Sequence, residues 1–165
     1  MIVDSTPILK VGMADLKAAQ APSVLKTSGL GSCIGLCLFD PQLHIAGMAH
    51  VMLPSSEIAR EQMLNIAKYA DTAIPALIDQ MIQLGAAVRN LQAKMAGGAQ
   101  MFALAQSDMM RIGPRNIESC KLQLQVYNIP LLAEDTGGNY GRSVEIDCAN
   151  GNVLVKSVQN GVRQL

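Results

Sequence analysis

A cysteine and a histidine lie on two neighbouring apolar segments of this chain, at a spacing that allows nucleophilic chemistry. Cys33 follows a glycine turn, and His50, one of two histidines in the sequence, lies on the apolar segment beyond Asp40-Pro41. A thiol becomes an effective nucleophile when a neighbouring base takes its proton, and an imidazole is a common base. The pair therefore predicts attack on a carbonyl carbon.

The two apolar segments are expected to form an antiparallel hairpin. If residues 40–43 make the loop, Phe39 faces His44 and Cys33 faces His50. Directly opposed side chains share one face of a sheet, with Cβ atoms about 5 Å apart, so the thiol and the imidazole could meet. A bulge at a glycine of either strand would shift this register. If Cys33 and His50 are not opposed in this way, they are explained as an ordinary buried thiol and a core histidine.

Other thiols and one other imidazole compete with this pair. Cys37 is expected on the same face as Cys33 but away from the turn. Cys120 is expected on a helix and Cys148 in a turn, and we interpret these two as buried structural residues. His44 lies at the hairpin turn, far along the strand. The four cysteines lack CxxC spacing, which argues against a structural zinc site.

The turn before Cys33 and a third polar group would complete a site. Backbone N–H groups at Gly31 and Ser32 can converge on a developing oxyanion. A catalytic imidazole is usually oriented by a further group. The candidates, which spacing alone does not rank, are Thr27, Asp40, Glu134 and Asp135.

The composition limits the possible functions. Of the 165 residues, 50% are hydrophobic and 3% aromatic, and 13 basic side chains balance 13 acidic ones. We expect one domain over residues 1–165 with an aliphatic core. No nucleic-acid partner is expected, because a basic run and aromatic stacking residues are both missing. No secretory signal or membrane-spanning run is apparent, so we expect a cytoplasmic protein without membrane insertion.

Apolar alternation and turn residues predict an α/β protein with many antiparallel pairs, not a doubly wound sheet. The predicted strands are 8–13, 23–27, 33–39, 44–53, 91–97, 129–135, 143–147 and 153–158. The predicted helices are 57–70 with a Ser55-Ser56 cap, a second from Asp71 or Thr72 to Gly85, and 113–128. The second helix has an apolar stripe of Ile74, Leu77, Ile78, Met81 and Ile82. Residues 14–22 are expected to be helical or irregular.

Six motifs, in this order, resemble the CheD family of chemoreceptor glutamine deamidases, and most closely its Bacillus-like members. They are TSGLGSC, GMAHVMLP, KYADTAI, AKMAGGAQMF, IGPRN and LAEDTGGNYGRSVE. The resemblance implies a compact single-domain α-β sandwich with mixed, largely antiparallel sheets, similar to the catalytic domains of glutamine-deamidating toxins. It also implies that Cys33, His50 and Thr27 are the catalytic residues.

The resemblance further implies a reaction and two partners. CheD-like proteins hydrolyse specific glutamine side chains of methyl-accepting chemoreceptors to glutamate, with release of ammonia through a cysteine thioester and without a metal or organic cofactor. Bacillus-like members also bind and stimulate a CheC-type phosphatase. The alternative is a mainly non-catalytic regulatory module that binds this phosphatase.

Two expectations concern the surroundings of the site. Met48, Met52 and Met101 are candidates for an adaptable apolar surface that a partner could contact, although core packing is the ordinary role of at least one of them. Arg142 and Asp135 are a candidate ion pair that braces the glycine loops.

Overall fold

The computed structural model describes residues 6–101 and 111–165, which form ten strands in two five-stranded sheets. In spatial order, the first sheet contains β1 (Ile8–Lys10), β3 (Val24–Leu30), β8 (Arg142–Asp147), β9 (Val153–Ser157) and β10 (Gly161–Gln164). The second contains β2 (Leu16–Gln20), β5 (Ile45–Val51), β4 (Ile34–Asp40), β6 (Gln92–Gly97) and β7 (Leu131–Thr136).

Both sheets are mixed and largely antiparallel. In the first sheet β1 runs parallel to β3, and in the second sheet β6 runs parallel to β7. The remaining neighbouring pairs are antiparallel. The predicted α/β class with mixed, largely antiparallel sheets is confirmed. The last residue of the motif AKMAGGAQMF, Phe102, lies outside the described residues.

The sheets stack face to face, and two helices, α1 (Ala70–Gln83) and α2 (Ile112–Val126), cover the outer face of the second sheet. Every residue of β4 and β5 is buried, because one face meets the helices and the other meets the first sheet. Side chains alternate along β4. Leu36 packs with the helices, whereas Cys37 packs between the sheets.

The helices α1 and α2 lie close to two of the three predicted helices. α1 begins at Ala70, within one or two residues of the predicted start, and it ends before Gly85. Four of the five residues of the predicted stripe are buried, but Ile82 is 45% exposed. α2 has Pro114 in its first turn, where the missing N–H costs no helical hydrogen bond.

The predicted helix over residues 57–70 is wrong. This described segment contains single 3-10 turns at Ser56–Ile58 and Ile66–Lys68, and α1 starts only at its last residue. Ser55 does act as a cap, but only of the first short turn. Apolar side chains here remain exposed, Met63 by 89%, so a helix would have no buried face to stabilise it.

Two strands are absent from the sequence-based predictions. The expectation of a helical or irregular segment over residues 14–22 is wrong, because β2 lies there and pairs with β5, with Ala18 opposite Gly47. β2 is rich in Lys, Ala and Gln, which are poor strand formers, so its pairing overrides its propensity. β10 is exposed along its whole length and pairs with β9 at the edge of the first sheet.

The hairpin of β4 and β5 is confirmed, but its predicted register is wrong by two residues. Gly35, not Cys33, lies directly opposite His50. Phe39 lies opposite Ala46, not opposite His44 as predicted. Side chains alternate with a period of two along a strand, so a shift of two leaves each side chain on its predicted face.

The loop of this hairpin explains the shift. Asp40 still pairs with Ile45, so the loop consists of residues 41–44. The Asp40 Oδ1 atom accepts hydrogen bonds from the next two free loop amides, Gln42 N at 2.9 Å and Leu43 N at 3.2 Å. This side-chain bonding stabilises a loop one residue further along the chain than counting from Asp-Pro predicts.

Candidate active site

A hydrogen bond across the two sheets joins Thr27 and His50. Thr27 lies on β3 of the first sheet and His50 on β5 of the second, and both are buried. The Thr27 Oγ1 atom lies 2.8 Å from His50 Nδ1 and 2.7 Å from the carbonyl oxygen of Val11. The structure thus selects Thr27 from the four candidate partners of the imidazole.

This pair of contacts fixes the tautomer of His50. A carbonyl oxygen only accepts, so the single hydroxyl hydrogen of Thr27 is donated to Val11. Oγ1 must then accept a hydrogen from Nδ1 of the imidazole. The neutral ring therefore carries its lone pair on Nε2, and that buried atom has no hydrogen-bond partner among the described residues. A base with an unoccupied lone pair is available.

Cys33 reaches the same face from the turn that precedes β4. It comes two residues before Gly35, which lies opposite His50, so it is the diagonal neighbour of the imidazole. Diagonal neighbours across antiparallel strands are about 7–8 Å apart between backbones and lie within reach of ring side chains. The Cys33 side chain is largely buried, and residue 35 adds no side chain between them.

Three successive carbonyl groups of the turn accept hydrogen bonds from other elements of the fold. The oxygens of Gly31, Ser32 and Cys33 accept hydrogen bonds from Ala99 N, Asn116 Nδ2 and Gly98 N, each at 2.9 Å. These tethers come from the end of β6 and from α2. These hydrogen bonds fix the position of the turn, and they engage its three carbonyl groups.

The amide groups of the same turn are less engaged. The N–H of Gly31 donates to Gly29 O at 3.2 Å. The N–H groups of Ser32 and Cys33 donate to no group in the described part of the chain. Two adjacent amides beside the thiol can therefore serve as donors to a ligand oxygen.

Close contacts of glycines allow this arrangement. Gly97 adopts a φ of 114°, and a Cβ atom there would clash with the carbonyl oxygen of Cys33. A Cβ atom on Gly113 would clash with the carbonyl oxygen of Ala99. Larger residues at either position would push β6 or α2 away from the turn.

Burial keeps both reactive groups neutral. It raises the pKa of the Cys33 thiol, because the thiolate loses hydration. It lowers the pKa of the His50 imidazole, because the imidazolium loses hydration as well. The resting pair is a thiol beside a neutral imidazole, which suits general-base removal of the thiol proton during attack.

Comparisons with known proteins bear on this geometry. A family model described as CheD, chemotactic sensory transduction, matches residues 52–157. A protein of Bacillus licheniformis, named chemoreceptor glutamine deamidase CheD, is 45% identical over 158 residues, 95% of this chain and 94% of its own. Proteins of the same name are 46% identical in Halalkalibacterium halodurans and 45% identical in Bacillus subtilis, over 96% of this chain and 98% and 96% of their own.

The chain belongs to the CheD family. A solved structure of a Neisseria meningitidis protein of the family DUF152 has a similar fold, with a TM-score of 0.50 and 7% identity. The similarity covers 82% of this CheD-family chain and 65% of the Neisseria chain, and it concerns the fold alone. Neither α1 nor α2, the long helices among the described residues, is long and apolar enough to cross a membrane.

The rival candidates have other roles in this CheD-family chain. Asp40 closes the hairpin loop, Glu134 bonds Thr136 and Lys121, and His44 bonds the carbonyl oxygen of Ala149. None of these three groups forms a hydrogen bond with the His50 ring in the described structure. The remaining cysteines are fully buried, and burial raises the pKa to about 12 for Cys37 and Cys120 and to about 11 for Cys148.

The expected ion pair is confirmed. The Arg142 guanidinium is buried and lies 3.0 Å from the Asp135 carboxylate. It also donates to the carbonyl oxygens of Gly137 and Tyr140 and lies 4.1 Å from the Tyr140 ring centroid. It therefore braces the glycine loop between β7 and β8.

The three methionines differ in exposure. Met48 is completely buried between the sheets, as its ordinary core role predicts, and Met52 is partly buried. Met101 is 50% exposed, and its side chain lies beside Gly31, in the turn before Cys33. Met101 is thus the methionine that offers apolar surface next to the candidate site.

Sequence reasoning missed Asn116. Its side chain is fully buried and bonds the turn that carries Cys33. One signal was available: Asn116, Cys120 and Leu124 follow one another at intervals of four on α2 and share its buried face. A polar amide on an otherwise apolar buried face needs partners, and those partners are distant in sequence.

Proposed function

We propose that this protein is a chemoreceptor glutamine deamidase with Cys33 as nucleophile. It hydrolyses specific glutamine side chains on the cytoplasmic part of methyl-accepting receptors to glutamate and releases ammonia. The relatives with this name are about 45% identical over nearly the whole chain, which supports the substrate class. A reaction inside the cytoplasm follows from that substrate.

One observation carries this proposal. The Val11 carbonyl and the Thr27 hydroxyl together hold His50 with a proton on Nδ1 and a free lone pair on Nε2. That is the tautomer that a general base needs when a thiol lies on the Nε2 side. Thr27 acts by orienting the imidazole, and His50 acts on the proton of Cys33.

The first half of the reaction forms a thioester. His50 Nε2 takes the Sγ proton while sulfur attacks the carboxamide carbon of the glutamine. The developing oxyanion accepts hydrogen bonds from the N–H groups of Ser32 and Cys33, with the Gly31 turn supporting them. His50 then donates its Nε2 proton to the amide nitrogen, the C–N bond breaks and ammonia leaves.

The second half regenerates the enzyme. His50 Nε2 takes a proton from water, and the hydroxide attacks the thioester carbon. The same backbone amides stabilise the second tetrahedral intermediate. The C–S bond breaks, the proton returns to sulfur, and the glutamate side chain leaves. Cys33, His50 and a water molecule supply the nucleophiles, the acid and the base of this scheme, which therefore uses no cofactor.

The second partner in the proposal is a CheC-type phosphatase, which this protein binds and stimulates. The resemblance to Bacillus-like members supports this role. The exposed Met101 beside the turn supports a binding surface that adjoins the site. If receptor and phosphatase use that surface, they compete, and binding of both at once in a titration would contradict a shared surface.

The decisive experiment is incubation with receptor cytoplasmic fragments, followed by peptide mass spectrometry. We expect a gain of about 1 Da at specific glutamines, since conversion of an amide to an acid replaces NH2 with OH. Cys33→Ala is the negative control, and Cys37→Ser is the matched control because Cys37 lies on the same strand face. Conversion that persists in Cys33→Ala would overturn the assignment of the nucleophile.

A further inference from the structure

We propose that Asn116 is a positioning residue that holds the turn of Cys33 at a fixed place relative to the strand of His50. The inference rests on the proposed function, because it assumes that Cys33 and His50 react together. It concerns a residue on a different element, α2, which contacts neither side chain of the pair.

The contacts of Asn116 connect the two segments directly. Its Nδ2 atom lies 2.9 Å from the carbonyl oxygen of Ser32, the residue before Cys33. The same atom lies 2.9 Å from the carbonyl oxygen of Met52, two residues after His50. An amide nitrogen carries two hydrogens, so each carbonyl receives one of them. One planar group thus bridges the nucleophile's turn and the base's strand.

The bridge lies where the pairing of the strands stops. Ile34 and Val51 are the last paired residues of β4 and β5 at this end. Beyond them the N–H of Leu53, which strand alternation would direct towards the chain before β4, donates instead to Lys68 O. Backbone pairing therefore no longer fixes the distance between the Ser32 turn and the end of β5. The Asn116 amide takes over that function.

The buried surroundings of Asn116 support a specific role for its side chain. Its side chain is fully buried, and α2 lies close to the turn because Gly113 contacts the backbone of Ala99. The Oδ1 atom has no hydrogen-bond partner within the described residues. Burying an unpaired carbonyl is costly. An apolar residue would avoid that cost, so the two donors of the amide are the reason for asparagine here.

Loss of these donors should act on catalysis more than on substrate binding. Two buried carbonyls would lose their partners, and the turn would move relative to His50. A displacement of about 1 Å between reacting groups can lower a rate about a hundredfold. Substrate binding should change less, because α2 keeps its other contacts, such as that of Ser119 Oγ with Pro54 O.

The test compares Asn116→Leu with Ser119→Ala. Leucine has nearly the shape of asparagine but no donor. Ser119 is one turn further along α2, and its Oγ atom donates to Pro54 O at 2.6 Å, so it anchors the same connection without touching the site. Asn116→Ala is a second variant that relieves any crowding by leucine.

Two readouts separate positioning from a general loss of structure. The first is turnover on a receptor fragment, where we expect kcat to fall about tenfold or more with KM within about twofold. The second is iodoacetamide alkylation of Cys33 across pH, followed by peptide mass spectrometry without any receptor. Alkylation should require a higher pH, as we also expect for His50→Ala, because the thiol loses its base. Ser119→Ala should match the wild type in both.

The outcomes are distinguishable. A folded Asn116→Leu protein with wild-type kcat and a wild-type alkylation profile would overturn the inference. If the wild type fails to deamidate receptors, the proposed function fails, yet the alkylation comparison still tests Asn116. If both variants fail to fold, hydrogen exchange of the wild-type side-chain amide decides: slow exchange at Asn116 Nδ2 is expected, and rapid exchange contradicts the bridge.

Discussion

The hydroxyl of Thr27 decides which nitrogen of His50 can act as a base. It donates to Val11 O and accepts from Nδ1. The Val11 carbonyl takes the hydroxyl hydrogen, and the ring proton must therefore lie on Nδ1. A carboxylate in the same position would hold the same tautomer but would also favour the imidazolium. A neutral hydroxyl leaves the ring neutral, in keeping with the lowered pKa of His50.

Removal of this hydroxyl should impair turnover without unfolding the protein. In Thr27→Val the shape is kept, but Nδ1–H and the Val11 carbonyl lose their partner, and the ring can adopt the wrong tautomer. We expect kcat to fall by up to about a hundredfold. Thr27→Ser keeps the hydroxyl and should retain most activity. Equal kcat values in the two variants would contradict the orienting role.

The pH dependence should reflect the buried, neutral imidazole. Burial lowers the pKa of His50 from its ordinary value of 6.5, so the base stays unprotonated at pH values where an exposed histidine is half charged. The acid limb of kcat/KM should therefore lie below pH 6.5. The same shift makes the unfolded chain bind more protons, so stability decreases as pH falls from 6.5 towards the folded-state pKa.

A titration of kcat/KM with a receptor fragment tests this point. In a thiolate–imidazolium resting pair the neighbouring anion would raise the pKa of the histidine, and loss of the imidazolium proton would appear as a basic limb instead. An acid limb above pH 6.5 would contradict a His50 base whose pKa is lowered by burial.

Sequence reasoning identified the chemical types at this scale but not their contacts. Cys33 and His50 follow from strand alternation, because alternation survives an error of two in register. Val11 and Asn116 could not be identified in the same way. Their partners lie 16 and up to 84 residues away, and no local spacing reports such contacts.

At the scale of elements, the turn of Cys33 is shaped by the end of β6. Gly97 has a positive φ and contacts the carbonyl oxygen of Cys33, while the next two amides bond the turn. The glycines of residues 96–100 therefore serve the packing of β6 against the turn of Cys33. Gly97 is required by a close approach of two backbones.

Gly97→Ala should reduce both stability and turnover per folded molecule. The left-handed φ costs about 1–2 kcal/mol for alanine, and the clash with Cys33 O would displace the nucleophile. Gly137→Ala is the matched control, since Gly137 also has a positive φ but an added Cβ would meet nothing within 4 Å. Urea denaturation should show a loss of stability in both variants. Only Gly97→Ala should lose turnover once rates are corrected for folded protein.

The elements differ in how far the sequence could predict them. The hairpin of β4 and β5 and the helix α1 were predictable because long apolar patterns and a proline restrict the alternatives. β2 was not, because LKAAQ has low strand propensity and its state is decided by the partner strand β5. The helix predicted over residues 57–70 does not form, because the segment has helix-forming residues but no face that is buried.

At the scale of the whole molecule, the two sheets are joined by polar contacts as well as by the apolar core. Thr27 to His50 is one such contact, and Arg142 on β8 to Asp135 on β7 is another. The latter lies at the edge of the sandwich with a largely buried carboxylate, and Arg163 on β10 adds a second cation 3.6 Å away. Sheet packing thus determines where the site's parts lie.

Arg142→Ala should lower stability much more than turnover. Breaking a buried ion pair costs about 3 kcal/mol or more, because the remaining charge stays buried without its partner. Turnover per folded molecule should change by less than about threefold, because Arg142 contacts neither Cys33 nor His50. Lys156→Ala removes a more exposed pair with Glu145 at 3.8 Å and should cost less than about 1 kcal/mol. Thermal unfolding and assays of soluble protein measure both quantities. An inactive but fully stable Arg142→Ala variant would assign the guanidinium a chemical role.

The tethers of the turn have a consequence for synthesis of the protein on the ribosome. Thr27, Cys33 and His50 all emerge early in translation, whereas the amides that fix the turn, at Gly98, Ala99 and Asn116, follow much later. β8, the antiparallel neighbour of the strand that carries Thr27, is translated later still. Because a domain folds as a unit, we expect the geometry around Cys33 to form only after nearly the whole polypeptide has been made. Any activity that depends on this geometry should then be absent from shorter nascent chains.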